Sequence, residues 1–130
     1  MSDNPLFGCV IPGELPITNF EQMDEDKWRC FLGTAPESLV VFLTGSEPLP
    51  QGSGLGVYLT REDDQNYEYI GHLTNNTPSS IFKTPQAFLN FQEGVDVVLG
   101  LSLESIEELE NLGETVSQNQ AQYRAATYVE

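Results

Sequence analysis

The sequence predicts a mainly β fold, an antiparallel β-sandwich or flattened barrel of about eight short strands with a short C-terminal helix. Three observations carry that expectation. Apolar residues fall in short alternating or continuous runs, and no helical spacing emerges before Ser105. Clusters of Pro, Gly, Asn, Asp and Ser, which supply turn geometry, separate the runs. The 130 residues, 39% of them hydrophobic with seven Phe, five Tyr and one Trp, suffice for a single core.

Phe7 to Ile11 is a short apolar run stopped by Pro12-Gly13. Ile17 to Met23 roughly alternates and ends in the acidic turn Asp24-Glu25-Asp26. Trp28 to Leu32 interleaves Trp28, Cys30 and Leu32 with Arg29 and Phe31. Leu39-Val40-Val41-Phe42-Leu43 is continuously apolar, as a strand covered on both faces would be. Gly56 to Thr60, Tyr67 to Leu73, Ser80 to Phe82 and Val95 to Leu103 complete the set. The connections carry Pro48, Pro50, Gly52 and Gly54, then Glu62 to Asn66, then Asn75 to Pro78. Ser105 opens the one clear helix as N-cap of a capping box with Glu108, followed at helical spacing by Ile106, Leu109 and Leu112 and stopped by Gly113. The expected organisation is a β-sandwich domain over residues 1–104 and a helix with a Gln-, Ala- and Ser-rich tail over 105–130.

Twenty acidic against five basic residues give a net charge of −15, which repels phosphate backbones and anionic lipid. Nucleic acid and membrane are therefore excluded as expected partners. Such acidity serves solubility, or it forms an acidic face for a basic partner. The N-terminus carries no basic region or long apolar core of a signal peptide, so the expected location is cytoplasm and nucleus. Cys9 and Cys30 sit in apolar strand contexts and are expected as buried free thiols. Asn75-Asn76-Thr77 has the form of a glycosylation sequon, which a chain without an export signal would not use.

No catalytic set emerges. His72 is the single histidine and falls within a strand, where packing is its ordinary role. There is no Gly-x-Ser-x-Gly elbow, and neither cysteine has a neighbour that would lower its pKa. One His and two separated Cys make no recognisable zinc set, and the acidic turns lack the glycine and glutamate of a calcium loop. No cofactor, no metal and no enzymatic activity are expected. Gly52-Ser53-Gly54-Leu55-Gly56 leads into a strand rather than a helix, so it is not a phosphate cradle. With Leu49 and its neighbouring prolines it shapes the start of that strand or lets a partner's backbone approach closely. Phe88, Leu89 and Phe91, between Pro85 and Gly94, form either a small satellite core or anchors for a partner. The candidate partner-binding residues are Pro48, Leu49, Pro50, Gly54, Phe88 and Phe91.

Taken in order, several segments resemble the Hikeshi family of nuclear import carriers. They are Phe7-Gly8-Cys9 and the Gly13 turn, then Leu39 to Leu43 followed by Gly45, Pro48, Pro50 and Gly52, then Gly56-Val57-Tyr58. Gly71 with Thr74-Asn75, and Pro78-Ser79-Ser80-Ile81-Phe82-Lys83, complete the likeness, which is close from Phe7 to Lys83 and weaker from Val97 to Leu109. The resemblance implies a β-sandwich N-terminal domain followed by a helical domain. It implies a carrier that takes heat-shock chaperones of the seventy-kilodalton class into the nucleus under heat stress by binding Phe-Gly nucleoporins. Family members run longer, so residues 105–130 correspond to the start of a truncated helical region. The full-length protein is then a possible homodimer, with dimerisation and part of chaperone binding in the missing portion. Phe88 or Phe91 would stand in for the aromatic that members carry in that loop. His72 replaces a bulky apolar residue, which favours packing over catalysis. The competing reading is a β-sandwich module for a small ligand, carbohydrate or lipid, whose sugar version needs exposed Trp or Tyr beside polar groups.

Overall fold

The computed structural model describes residues 6–62, 66–89 and 96–113. Eight strands form, in the order β1 (Phe7–Val10), β2 (Glu21–Asp24), β3 (Lys27–Gly33), β4 (Ser38–Leu43), β5 (Ser53–Arg61), β6 (Glu68–Leu73), β7 (Ser79–Lys83) and β8 (Val97–Ser105). A four-residue helix, α1 (Gln86–Leu89), precedes β8, and a second helix, α2, runs from 106 to the last described residue, 113. The strands make two antiparallel sheets, β1-β4-β7 and β2-β3-β8-β5-β6. The mainly β fold with a short C-terminal helix is therefore the one the sequence predicts. Residues 114–130, the remainder of the helix and tail expected over 105–130, lie outside the described part.

The core lies between the sheets. Phe7, Cys9, Leu39 and Val41 from the smaller sheet meet Leu55, Val57, Leu59, Val97, Leu99 and Leu101 from the larger one. These are alternate residues on each strand, as the period of two requires. Phe7 holds Phe20 and Trp28 edge-on at ring-centroid distances of 5.1 and 5.0 Å, which closes one end of the sandwich. The thiols behave as expected: Cys9 and Cys30 are both free and buried. Burial, and secondarily the neighbouring Cys30, pushes the Cys9 thiol up to about 12; burial also raises Cys30.

Two local outcomes differ from the sequence reading, and a third decides an alternative it left open. The expected strand from Ile17 is shorter, because Ile17 makes an isolated bridge to Cys9 and the ladder with β3 starts only at Glu21. β4 is not covered on both faces: Leu39 and Val41 are fully buried, while Val40 and Phe42 are only half-buried on the outside of the three-stranded sheet. The strands buried on both faces are β5 and β8 instead. Finally, Pro85 to Leu89 turns into α1, with the Phe88 amide bonded to the Pro85 carbonyl at 2.9 Å. That turn drives Phe88, 6% exposed, into the main core, so of its two readings the structure adopts the packed one.

The glycine segment opens β5 rather than preceding it, and α2 explains why it is glycine. Leu109 of α2 is fully buried against the outer face of β5. A Cβ on Gly54 would lie 2.8 Å from Leu109 Cδ1 and 2.9 Å from the Leu73 carbonyl oxygen, and one on Gly56 would lie 2.9 Å from Leu109 Cδ2. Only a strand without side chains there lets α2 lie this close. The helix begins where the sequence placed its cap, with the Glu108 amide donating to Ser105 Oγ at 3.2 Å.

Two predictions follow from this packing. Leu109→Ala removes the plug over Gly54 and Gly56 and should lower unfolding free energy by about 2–5 kcal/mol in urea titration, whereas Ser105→Ala should cost about 1 kcal/mol. A thiol reagent at mildly alkaline pH should leave both cysteines unmodified in the folded chain and modify both in urea.

Candidate functional site

The outer face of the five-stranded sheet is not a convex polar surface. Its floor is the outward side of β8, the residues Val98, Gly100, Ser102 and Glu104, which alternate with the core-facing Val97, Leu99 and Leu101. Register places Phe31, Val98 and Thr60 side by side, then Arg29, Gly100 and Tyr58, then Lys27, Ser102 and Gly56. The β3 and β5 members of these rows form the two walls. Met23 from β2 and Tyr67, which precedes β6, lean over them at 50% and 46% exposure. The result is a trough along β8, about 20 Å from Val98 to Glu104 at strand rise.

Gly100 divides the trough into two wells. A Cβ there would lie 2.7 Å from Tyr67 Cε1, so the Tyr67 ring rests directly on the strand and raises the floor. Beyond it a well of ≈ 380 Å³ is lined by Trp28, Tyr58, Leu101, Ser102, Lys27 and Glu104. On the other side a more polar well of ≈ 500 Å³ is lined by Phe31, Val98, Thr60, Arg29, Arg61 and Glu62. Phe31 is half exposed, with the Arg29 guanidinium 5.2 Å above its ring centroid and bonded through Nε to Glu21 at 2.8 Å.

Charge and polarity at the trough are unlike the rest of the chain. Three of the five basic residues border it, accompanied by Glu21, Glu62 and Glu104, so the trough is locally neutral in a chain of −15. Tyr58 donates its hydroxyl proton to the Glu104 carboxylate and closes the smaller well. Burial, and then that bond, hold the Tyr58 phenol well above its ordinary pKa. Ser102 is 8% exposed, and its buried Oγ has no hydrogen-bond partner. A buried hydroxyl without a partner is costly, and one that lines a cavity can bond to whatever fills it.

Next to the trough, Tyr69 ties α2 to the sheet. Its hydroxyl donates to the Leu109 carbonyl at 3.2 Å and contacts His72 Nδ1, and its ring stacks near the imidazole at 6.2 Å. Burial first, and the Glu104 charge second, push the Tyr69 phenol up to about 12. His72 thus serves in a packed contact under the helix.

The residues singled out from sequence lie elsewhere. Pro48 and Pro50 are exposed, and Leu49 packs partly against the core. The Leu49 backbone is clamped by the Asn75 side chain through bonds of 2.9 and 3.0 Å, which fixes that loop. Gly54 is occupied by Leu109 of the same chain, so the close approach reserved for a partner is made internally. Phe88 is in the core, and Phe91 lies outside the described residues. Of the trough residues, Gly100 and Ser102 carried a weak signal as small residues at alternate positions of Val98-Leu99-Gly100-Leu101-Ser102, while Met23 and Tyr67 carried none. Among the described residues no group of three or more His, Cys, Asp or Glu is placed to hold a metal ion, and no helix is long and apolar enough to cross a membrane.

Comparison with known proteins gives concordant findings. The family model described as Hikeshi-like, N-terminal domain, matches residues 10–122. "Protein OPI10 homolog" of Schizosaccharomyces pombe is 34% identical over 118 residues, covering 85% of this chain and 56% of that protein. "Protein OPI10 homolog" of Anopheles gambiae is 37% identical over 87 residues, 61% of this chain and 42% of that one. "Protein Hikeshi" of Homo sapiens is 36% identical over 86 residues, 60% of this chain and 42% of that one. The chain thus spans about half the length of these curated relatives.

The Tyr69 contact has a pH signature. Its folded pKa lies above the ordinary value of about 10, so its contribution to stability is complete below pH 10 and is lost as pH rises through about 12. Chemical denaturation across that window should show Tyr69→Phe less stable than the parent at pH 8 and losing less stability between pH 10 and 12 than the parent does.

Proposed function

The chain belongs to the Hikeshi-like family, and on that footing we propose that it is the partner-binding domain of a nuclear import carrier. It binds Phe-Gly nucleoporins and takes heat-shock chaperones of the seventy-kilodalton class into the nucleus under heat stress, moving between cytoplasm and nucleus. It works by binding, not by catalysis. Homodimerisation belongs to the full-length carrier, of which this chain spans about half the length seen in its relatives.

The observation that carries this reading is the neutral, aromatic-walled trough over β8. A Phe ring gains apolar contact against Tyr58 and Tyr67, and Met23 adapts to it as unbranched thioether side chains do. A single ring buries little area, so each contact is weak and short-lived, which suits a carrier that passes from repeat to repeat. Neutrality suits repeats without charge, while the acidic remainder repels nucleic acid. The sugar version of the alternative module loses its Trp platform, because Trp28 is half-buried and packs edge-on against Phe7.

The test is an NMR titration of the labelled chain with a short Phe-Gly repeat peptide and a Ser-Gly control. Saturable shifts at Met23, Tyr67, Gly100 and Ser102 with the Phe peptide alone are expected, and Met23→Asp should abolish them without loss of fold. Equal responses to both peptides, or shifts confined to another face, would remove the trough as the capture site.

A further inference from the structure

The two wells and the unpartnered hydroxyl say more than that one ring can be held. We infer that the trough takes a single extended, uncharged peptide running along β8. Two apolar side chains four residues apart enter one well each, and a main-chain amide of the peptide bonds to Ser102 Oγ. The inference deepens the reading of the trough as the partner-capture site and rests on it.

The geometry sets the spacing. The larger, polar well is centred at the level of Val98 and the smaller one at the level of Ser102. Four strand residues separate those levels, about 13 Å at strand rise. An extended peptide presents side chains to one face at alternate positions, so residues i and i+4 reach both wells and i+2 faces the rise between them. The Tyr67 ring on Gly100 fills that rise, which selects a small residue at i+2. A helical peptide is excluded by length, because four helical residues advance only about 6 Å.

The chemistry sets the rest. The smaller well gives an aromatic ring the face of Tyr58; the larger one gives a second ring the exposed side of Phe31. Neither well has an excess of charge, since Lys27, Arg29 and Arg61 are balanced by Glu21, Glu62 and Glu104. Ser102 Oγ is more than nine-tenths buried and lines the smaller well. It can donate to a peptide carbonyl or accept from a peptide N–H, so a passing backbone satisfies it. Thr84 provides an internal control: its Oγ1 is equally buried and unpartnered, but it lines neither well.

The experiment compares three uncharged peptides of equal length on the full chain by NMR and calorimetry. One carries a single Phe, one carries Phe at i and i+4 with Gly-Ser-Gly between, and one carries Phe at i and i+3. The i, i+4 peptide should bind at least about ten-fold more tightly than the single-Phe peptide, because the second well is engaged at high local concentration, and i, i+3 should show no such gain. Ser102→Ala should weaken every trough-binding peptide about five-fold with the amide spectrum still dispersed, and Thr84→Ala should leave affinity unchanged. Binding at the trough with no advantage for i, i+4, or with affinity indifferent to Ser102→Ala, overturns this inference and leaves the capture site standing. No binding of any peptide at the trough overturns both.

Discussion

Everything in this molecule depends on β8 being buried on both faces. It is the last of the described strands in sequence, yet it sits at the centre of the larger sheet between β3 and β5. Its inward residues Val97, Leu99 and Leu101 supply that sheet's share of the core, and each is at most 1% exposed. Its outward residues are small for the same reason. A central strand whose second face carries Gly100 and Ser102 leaves room for other chains to lie on it, and Tyr67 takes that room. On neighbouring β5, Gly54 and Gly56 play the same part for Leu109. Core packing and site formation are therefore one constraint seen from two sides of one strand.

The topology makes that constraint costly to satisfy and rigid once satisfied. β8 must pair with residues 27–33 and 53–61, so its ladders close only after most of the described chain has formed. Such non-local pairing slows folding, since loop-closure entropy is lost before the contacts compensate for it. A floor hydrogen-bonded on both edges and packed beneath by the core does not flex to meet a ligand. Adaptation must come from Met23 and Tyr67, the half-exposed side chains above it, while the floor fixes where a partner lies.

Much of the fold was legible because strand period and turn chemistry are local signals. All eight strands and the Ser105 cap could be seen in the sequence, the latter because a capping box is a four-residue pattern. β4 misled because Leu39 to Leu43 is uniformly apolar, and a run of that kind does not say which faces are covered. Half-exposed Val40 and Phe42 are the sheet's outer surface, with the Phe42 ring lying against Gly8. Phe88 stayed open because burial in a loop depends on where the loop turns. The trough was illegible for a different reason. Met23, Phe31, Tyr58, Tyr67 and Ser102 come from separate segments, and only the pairing of β3 and β5 with β8 assembles them. Gly54 was read as a place where a partner's backbone could come close; the group that lies there is the Leu109 side chain of the chain's own helix.

The distribution of charge then becomes part of the recognition argument. A net −15 spread evenly would make every surface hostile to anions and sticky toward cations, with little selectivity among proteins. Here three of the five basic residues are spent on balancing one trough, and one of them, Arg29, is held to Glu21 while it covers Phe31. Desolvating a neutral, prepaired surface costs less than desolvating unpaired carboxylates, so an apolar segment is favoured at the trough over the rest of the chain. The acidic remainder excludes polyanions and sets no preference among uncharged segments. Selectivity among those segments has to come from shape: the two wells, the rise at Gly100, and the buried, unpartnered Ser102 hydroxyl in the smaller well.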